Sequence, residues 1–200
     1  MRVFPFVFAM FAVLASGCGQ AVDQPDHQAE WRDVLRHKKA AGHPSATPQA
    51  KQVYADSVAA FVQKHPNHGR ARQVWTSMQL EFASDLASMG HYQSATRVYR
   101  AVLANDPDNA DARKGLAIAL DRLAVTREKL LALEKGMSEH DVAKILGKPM
   151  PGWSVRNERR DAKIEAWYYR TRTGGVAAVY FREGKVFAAE ENSQAKTGRL

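Results

Sequence analysis

The chain has 200 residues, 45% hydrophobic and 25% charged, a composition that folds around ordinary cores. Its 29 Lys and Arg against 21 Asp and Glu give a formal charge of +8. A single Cys excludes an intramolecular disulfide and a cysteine-based zinc cage, and the totals exclude an acidic disordered chain, a disulfide-stapled mini-protein and a multi-span membrane protein.

Arg2 is the only charge before Asp23, and Val3 to Ser16 is uncharged and mostly apolar. Crossing a bilayer takes about 20 apolar residues, so the run is too short and reads as a secretory leader. It ends in LASGC, which resembles the bacterial lipobox, where cleavage precedes a Cys that receives acyl chains; Ala15 stands where Leu is commoner. The resemblance implies a lipoprotein signal peptide at 1–17, lipidation of Cys18, and a lipid anchor and flexible tether over 18–48. Two or more acyl chains hold a protein firmly where one is marginal. Gly19 replaces the Asp that often retains such proteins at the inner membrane, so the implied place is the periplasmic face of the cell outer membrane. A free Cys after an ordinary leader is the alternative reading.

Glu30 to Lys39 is expected to form a short helix with Trp31, Val34 and Leu35 on one face, broken by Pro44 and Pro48. From Gln49 to Lys135 the period is helical. Tyr54, Val58, Phe61 and Val62 form one stripe, ended by His65-Pro66. A second helix is expected over 70–89, with Val74, Met78, Phe82 and Leu86 inward and Gly90 as its stop. A third runs from Tyr92 to Ala104. Asp106-Pro107-Asp108-Asn109 is read as capping a fourth, which the pattern continues unbroken to Leu133. Ala83, Gly90, Tyr92, Ala95, Tyr99 and Pro107 resemble a tetratricopeptide (TPR) repeat over a 34-residue unit from Thr76 to Asn109. The matching turn is missing from the next unit, where Ala124 falls in the place of Gly90. The resemblance implies a TPR-like domain at 49–135, capped by Trp75 and Leu130 or Leu131, with Leu80, Ser84, Asp111, Lys114 and Ile118 lining a peptide-binding groove. A plain four-helix array is the alternative.

Beyond Lys135 the period changes. Ser138 caps a short helix with Val142, Ile145 and Leu146 inward, and Gly147 ends it. Strands are expected at 163–171, 176–182 and 185–190, with turns at Thr173-Gly174-Gly175 and Glu183-Gly184 and a fourth strand near Trp153 to Arg156. Alternation places Trp167, Tyr169, Val179, Phe181, Phe187 and Ala189 on one face. Ile164, Ala166, Tyr168, Ala178, Tyr180, Val186 and Ala188 fall on the other. Both faces are apolar, so the one not packed on the short helix is either covered by the long helix or offered to a partner. The segments GMSEHDVAKILGKP, AWYYR and VYFREGKV resemble the SmpA/OmlA (BamE-like) lipoprotein domain, which implies an α+β domain at 136–192 before a disordered tail at 193–200. The fold class expected is therefore α+β: antiparallel helical hairpins, then a small domain of one helix and an antiparallel three- or four-stranded sheet.

No chemistry emerges. His65 and His68 flank a turn with no carboxylate close in sequence, and a zinc site takes three or four ligands; no metal and no cofactor is expected. There is no Gly-x-Ser-x-Gly elbow, P-loop or dinucleotide fingerprint, so no enzyme and no small-molecule substrate is expected. Basic residues are spread along the chain, which argues against nucleic acid. Arg156, Arg159, Arg160 and Lys163 could meet an anionic surface, but Glu158, Asp161 and Glu165 are interleaved. Partner contacts are assigned to the groove and to Trp167, Tyr168 and Tyr180. The function these resemblances imply is a non-enzymatic outer-membrane lipoprotein, an adaptor in cell-envelope biogenesis. The alternative is a soluble periplasmic binding protein or inhibitor that grips one target through its sheet.

Overall fold

The structure is a computed structural model describing residues 25–159 and 162–191. The expected leader at 1–17, Cys18, Arg160 and the expected tail at 193–200 lie outside the described residues. The fold is α+β, with seven helices followed by a four-stranded antiparallel sheet among the described residues. No described helix is long and apolar enough to cross a membrane. The chain divides into two compact units, Met1–His68 and Gly69–Leu200.

The first unit is an antiparallel pair, α1 (Pro25–Ala41) and α2 (Pro48–Lys64). The turn between them follows from chemistry at α2's start. Pro48 sits where its missing N–H costs nothing, and the Thr47 hydroxyl accepts from the Ala50 amide at 3.2 Å. Trp31 packs on Phe61 at 5.0 Å between centroids, and His27 stacks on His65 at 3.8 Å. His65 flanks a turn, as expected, but is not left to solvent there. It is buried, and its Nε2 lies 2.8 Å from Oε2 of Glu30, which also pairs with Lys64. That carboxylate is distant in sequence and arrives only because the helices pair. Hydrogen bonds from Lys64 and then His65 hold Glu30 below the usual carboxylate range.

The second unit begins with α3 (Gly69–Ser88), α4 (Tyr92–Asn105) and α5 (Ala110–Arg122). Ala83, Ala95, Ala112 and Ala119 are fully buried and let the helices approach, with Val98, Tyr99 and Val102 filling between them. Gly115 belongs to the same economy: a Cβ there would fall within the Tyr99 ring. Phe82 is not inward; it is 52% exposed, and the buried stripe of α3 runs through Leu80, Ala83, Leu86 and Ala87 instead. Within the expected cap at 106–109 it is Asn109 that caps α5, accepting from the Ala112 amide at 2.9 Å. Asp106 accepts from the Asn109 side chain, and Asp108 pairs with Arg113 at 2.6 Å.

The fourth helix does not run to Leu133. It ends at Arg122, and α6 (Arg127–Leu131) starts separately. The break has a cause at Val125, whose amide donates to Arg170 O at 2.8 Å while its carbonyl accepts from the Arg172 amide at 3.1 Å. Thr126 then caps α6. The end of α5 falls 34 residues after the end of α3, so the turn recurs at the repeat period although the Gly does not. Leu130 enters the core of the sheet, whereas Leu131 is exposed.

Next comes α7 (Glu139–Leu146), fixed by a capping box in which Ser138 and Asp141 exchange hydrogen bonds. The strands follow as β1 (Ser154–Arg159), β2 (Ala162–Arg170), β3 (Val176–Arg182) and β4 (Lys185–Glu191), each antiparallel to the next in chain order. Glu183 and Gly184 take φ of 49° and 72°, as a type I′ turn requires at both central positions. Val142 and Leu146 pack with Trp167, Tyr169, Ala177, Val179 and Phe181 in one core. A β-bulge changes the expected facing of β4. Tyr180 pairs with Ala188 but Phe181 with Val186, leaving Phe187 as the extra residue. Val186 therefore enters the core, and Phe187 lies 6.1 Å from the Tyr180 ring with the Arg182 guanidinium 4.9 Å above it.

Candidate functional site

Two surfaces of the second unit gather the residues singled out from sequence. The first is a groove of about 400 Å³ lined by residues of α3, α4 and α5 on one side and by α7 with Gly147 and Lys148 on the other. Side-chain donors beside it hold main-chain carbonyls at the end of α7. Arg122, the last residue of α5, donates from Nη1 to Ala143 O at 2.9 Å and from Nη2 to Lys144 O at 2.8 Å. Lys144 O is an orphan carbonyl of the last turn of α7, Ala143 O also accepts from the Gly147 amide at 2.9 Å, and a cation there meets the negative helix end. The Tyr92 hydroxyl donates to Lys148 O at 3.0 Å and the Tyr169 hydroxyl to Gly147 O at 2.9 Å. Burial pushes the Tyr92 hydroxyl above its usual range, against the opposing pull of Arg122, and pushes Tyr169 up much further. Both remain protonated donors at any physiological pH.

Of the five residues expected in the groove, Ser84 and Ile118 line it. Leu80 instead packs against the helical core, and Asp111 and Lys114 are exposed on α5 outside the lining. The lining includes His140, Lys144 and Lys148, which the expected groove left out because it drew on α3 and α5 alone. Nothing in the local pattern around Arg122 announces that it reaches α7.

The second surface is the face of the sheet turned away from α7. Ile164, Tyr168 and Tyr180 are half-buried there, and Ala166 and Ala178 lie buried among them. Trp167 is a correction: adjacent to Tyr168, it points to the opposite face, is 7% exposed, and sits 4.8 Å from the Phe181 ring. Its indole Nε1 donates to Glu165 Oε1 at 2.8 Å.

One member of the basic cluster, Arg156, is engaged by the same carboxylate. Arg156 donates to Glu165 Oε2 from Nε at 2.8 Å and from Nη2 at 2.7 Å, a two-pronged ion pair across β1 and β2. Burial alone would raise the Glu165 carboxyl, but Trp167 and Arg156 outweigh it and hold it low. Lys163 is exposed, and β1 ends with Arg159 opposite Ala162. Arg170 lies over the Trp153 ring at 5.4 Å, and Arg172 pairs with Asp121 at 3.5 Å. Among the described residues, no group of three or more His, Cys, Asp or Glu is placed to hold a metal ion.

No protein-family model, curated protein or solved structure matches the chain.

Proposed function

We propose that this protein is a non-enzymatic adaptor, anchored to the periplasmic face of the outer membrane through lipidated Cys18 and binding a protein of the cell envelope. The observation that carries the adaptor reading is the outward face of the sheet. It presents Ile164, Tyr168, Tyr180 and Phe187 half-buried, a concentration of aromatic area of the kind that interfaces favour. The lipid anchor is supported by LASGC and by the chain's single Cys standing in it.

The test has two arms. Mass spectrometry of the processed N-terminus should find an acylated Cys18, and a Cys18→Ser variant should leave the membrane fraction. An unmodified N-terminus would instead favour the soluble binding protein. In the second arm, a photo-crosslinker at position 168 in intact cells should trap one envelope protein, and Tyr180→Ser should remove that adduct while leaving the thermal transition in place. An adduct indifferent to Tyr180 would remove the sheet face from the interface.

A further inference from the structure

We propose that β1 is a self-recognition edge. Two copies of the chain pair their β1 strands antiparallel about Asn157, with Arg156 of each copy opposite Glu158 of the other, and join two four-stranded sheets into one. The inference goes beyond the adaptor reading and stands without it, because the occupant is a second copy of this chain.

The first argument is the state of the two sheet edges. β4 is closed over its first residues: Gly136 N donates to Val186 O at 2.8 Å, Val186 N donates to Met137 O at 2.9 Å, and Ser138 forms a bridge to Lys185. β1 pairs with β2 alone among the described residues. The Tyr168 amide donates to Trp153 O at 2.8 Å, so Trp153 and every second residue after it turn their main-chain groups toward β2. Ser154, Arg156 and Glu158 therefore turn theirs outward, and residues 154 to 158 are exposed. An open row of donors and acceptors is a template for another strand.

Charge is the second argument, and it selects the occupant. Charged side chains ordinarily deter edge pairing. In β1 they alternate in sign: Arg156 and Glu158 lie two residues apart on the α7 side of the sheet, where Arg156 meets Glu165. Pairing two identical strands with Arg156 opposite itself, or Glu158 opposite itself, sets like charges face to face, which is unfavourable. Pairing centred on Asn157 sets Arg156 against Glu158 twice. Both residues turn their main-chain groups outward, so each of these pairs exchanges two hydrogen bonds. Glu165 takes Nε and Nη2 of Arg156, which leaves Nη1 for the second copy.

The third argument is the surface that results. The two-fold axis of such a pair is perpendicular to the sheet, so both outer faces lie on one side. Val155 is 58% exposed and pairs with Ala166, in a row that continues through Tyr180 to Ala188. Joining at β1 moves Val155 from the margin of one apolar face to the middle of a face twice as wide.

The experiment uses the full chain in neutral detergent with Cys18→Ser, so that an introduced cysteine is the chain's only one. Edge pairing buries less than a standard interface of about 1,600 Å², so it is read at about 100 µM chain. Across the two-fold axis the Cα atoms at position 157 are about 4.5 Å apart, and those at position 155 about 14 Å apart. Only the first pair is within reach of a disulfide. Asn157→Cys is therefore expected to form a disulfide-linked dimer at least about 10-fold faster than Val155→Cys under mild oxidation. Adding Glu158→Arg to Asn157→Cys should slow that reaction at least about 10-fold, with an unchanged thermal transition because the side chain is exposed. Sedimentation velocity of the Cys18→Ser chain should show a dimer whose share rises with concentration. Equal crosslinking at the two positions, no crosslinking at 157, or a rate indifferent to Glu158→Arg overturns the proposal. A chain that stays monomeric overturns it too and leaves the edge to a strand of another protein. None of these readouts depends on lipidation or on the crosslink at position 168, so either reading can fail without the other.

Discussion

Arg122 and Lys144 are joined by a hydrogen bond from guanidinium Nη2 to main-chain oxygen at 2.8 Å, and a second from Nη1 reaches Ala143 O at 2.9 Å. Through this pair the last residue of the helical array caps the helix that roofs the sheet. Within the second unit, α5 and the β-rich segment are thereby tied together, although their sequence periods differ. Arg122→Met keeps the aliphatic stem and removes the donors, leaving Lys144 O to water and Ala143 O with the Gly147 amide alone. The expected loss is about 1–2 kcal/mol, less than for a fully buried charged donor because Arg122 is partly exposed. Arg122→Lys recovers little, since an ammonium cannot fork between two carbonyls. Urea unfolding followed at 222 nm should show a lowered midpoint for the second unit. A wild-type midpoint would mean that the cap contributes nothing.

Gly147 is required at its position for two reasons that act together. Its φ is +87°, and a Cβ would lie 2.5 Å from the Tyr92 hydroxyl and 2.8 Å from Arg122 Cδ. Backbone strain alone costs a non-glycine residue about 1–2 kcal/mol. The clash displaces the two side chains that hold α7, so Gly147→Ala is expected to cost about 2–4 kcal/mol. Gly152 has a similar φ of +82° with open space around its Cβ position, so Gly152→Ala should lose only the strain. Comparing the two by differential scanning calorimetry separates crowding from conformation.

How much of this could be read from the chain depends on whether the cause is local. Strand β3 matches the expected 176–182, and α7 its expected cap and stop, because alternation, Ser138 and Gly147 act within a few residues. The helix expected to reach Leu133 is cut by Val125, whose hydrogen bonds go to Arg170 and Arg172, partners too distant for periodicity to reveal. The reversed facing of Val186 and Phe187 has the same origin: one inserted residue in β4 leaves a strand pattern intact while exchanging its faces. His65 with Glu30, and Arg122 with α7, were equally hidden. The groove's α3 and α5 wall was partly legible through Ser84 and Ile118; its α7 wall was not.

Glu165 is 8% exposed and holds two donors, the Trp167 indole and the Arg156 guanidinium. Glu165→Gln weakens the ion pair and turns one acceptor into a donor, so a loss of about 1–3 kcal/mol is expected at pH 7. The pH dependence follows from the direction of the shift. The carboxyl is held below its ordinary value near 4.5 in the folded chain, so the folded state favours the ionised form. This contribution is complete above that ordinary value and disappears as pH falls through the lower folded value. Wild type and Glu165→Gln should therefore converge in stability as acid is added from pH 5 downward. Parallel curves over that range would show that the pair contributes no linkage.

Tyr180 and Phe181 are consecutive in β3 and face opposite sides of the sheet, one half-buried on the outer face and the other fully enclosed with Trp167 and Leu146. Phe181→Ala removes a ring from a core with no route for solvent to fill the space, and about 3–5 kcal/mol should be lost. Tyr180→Ser removes area that water already reaches in part, and about 1 kcal/mol or less is expected beyond the weaker ring contact to Phe187. Denaturant midpoints should therefore differ by severalfold in the free energy lost, with m-values unchanged for Tyr180→Ser. Equal losses would mean that the outer aromatic layer is as enclosed as the core, and the face would then have no area to offer a partner.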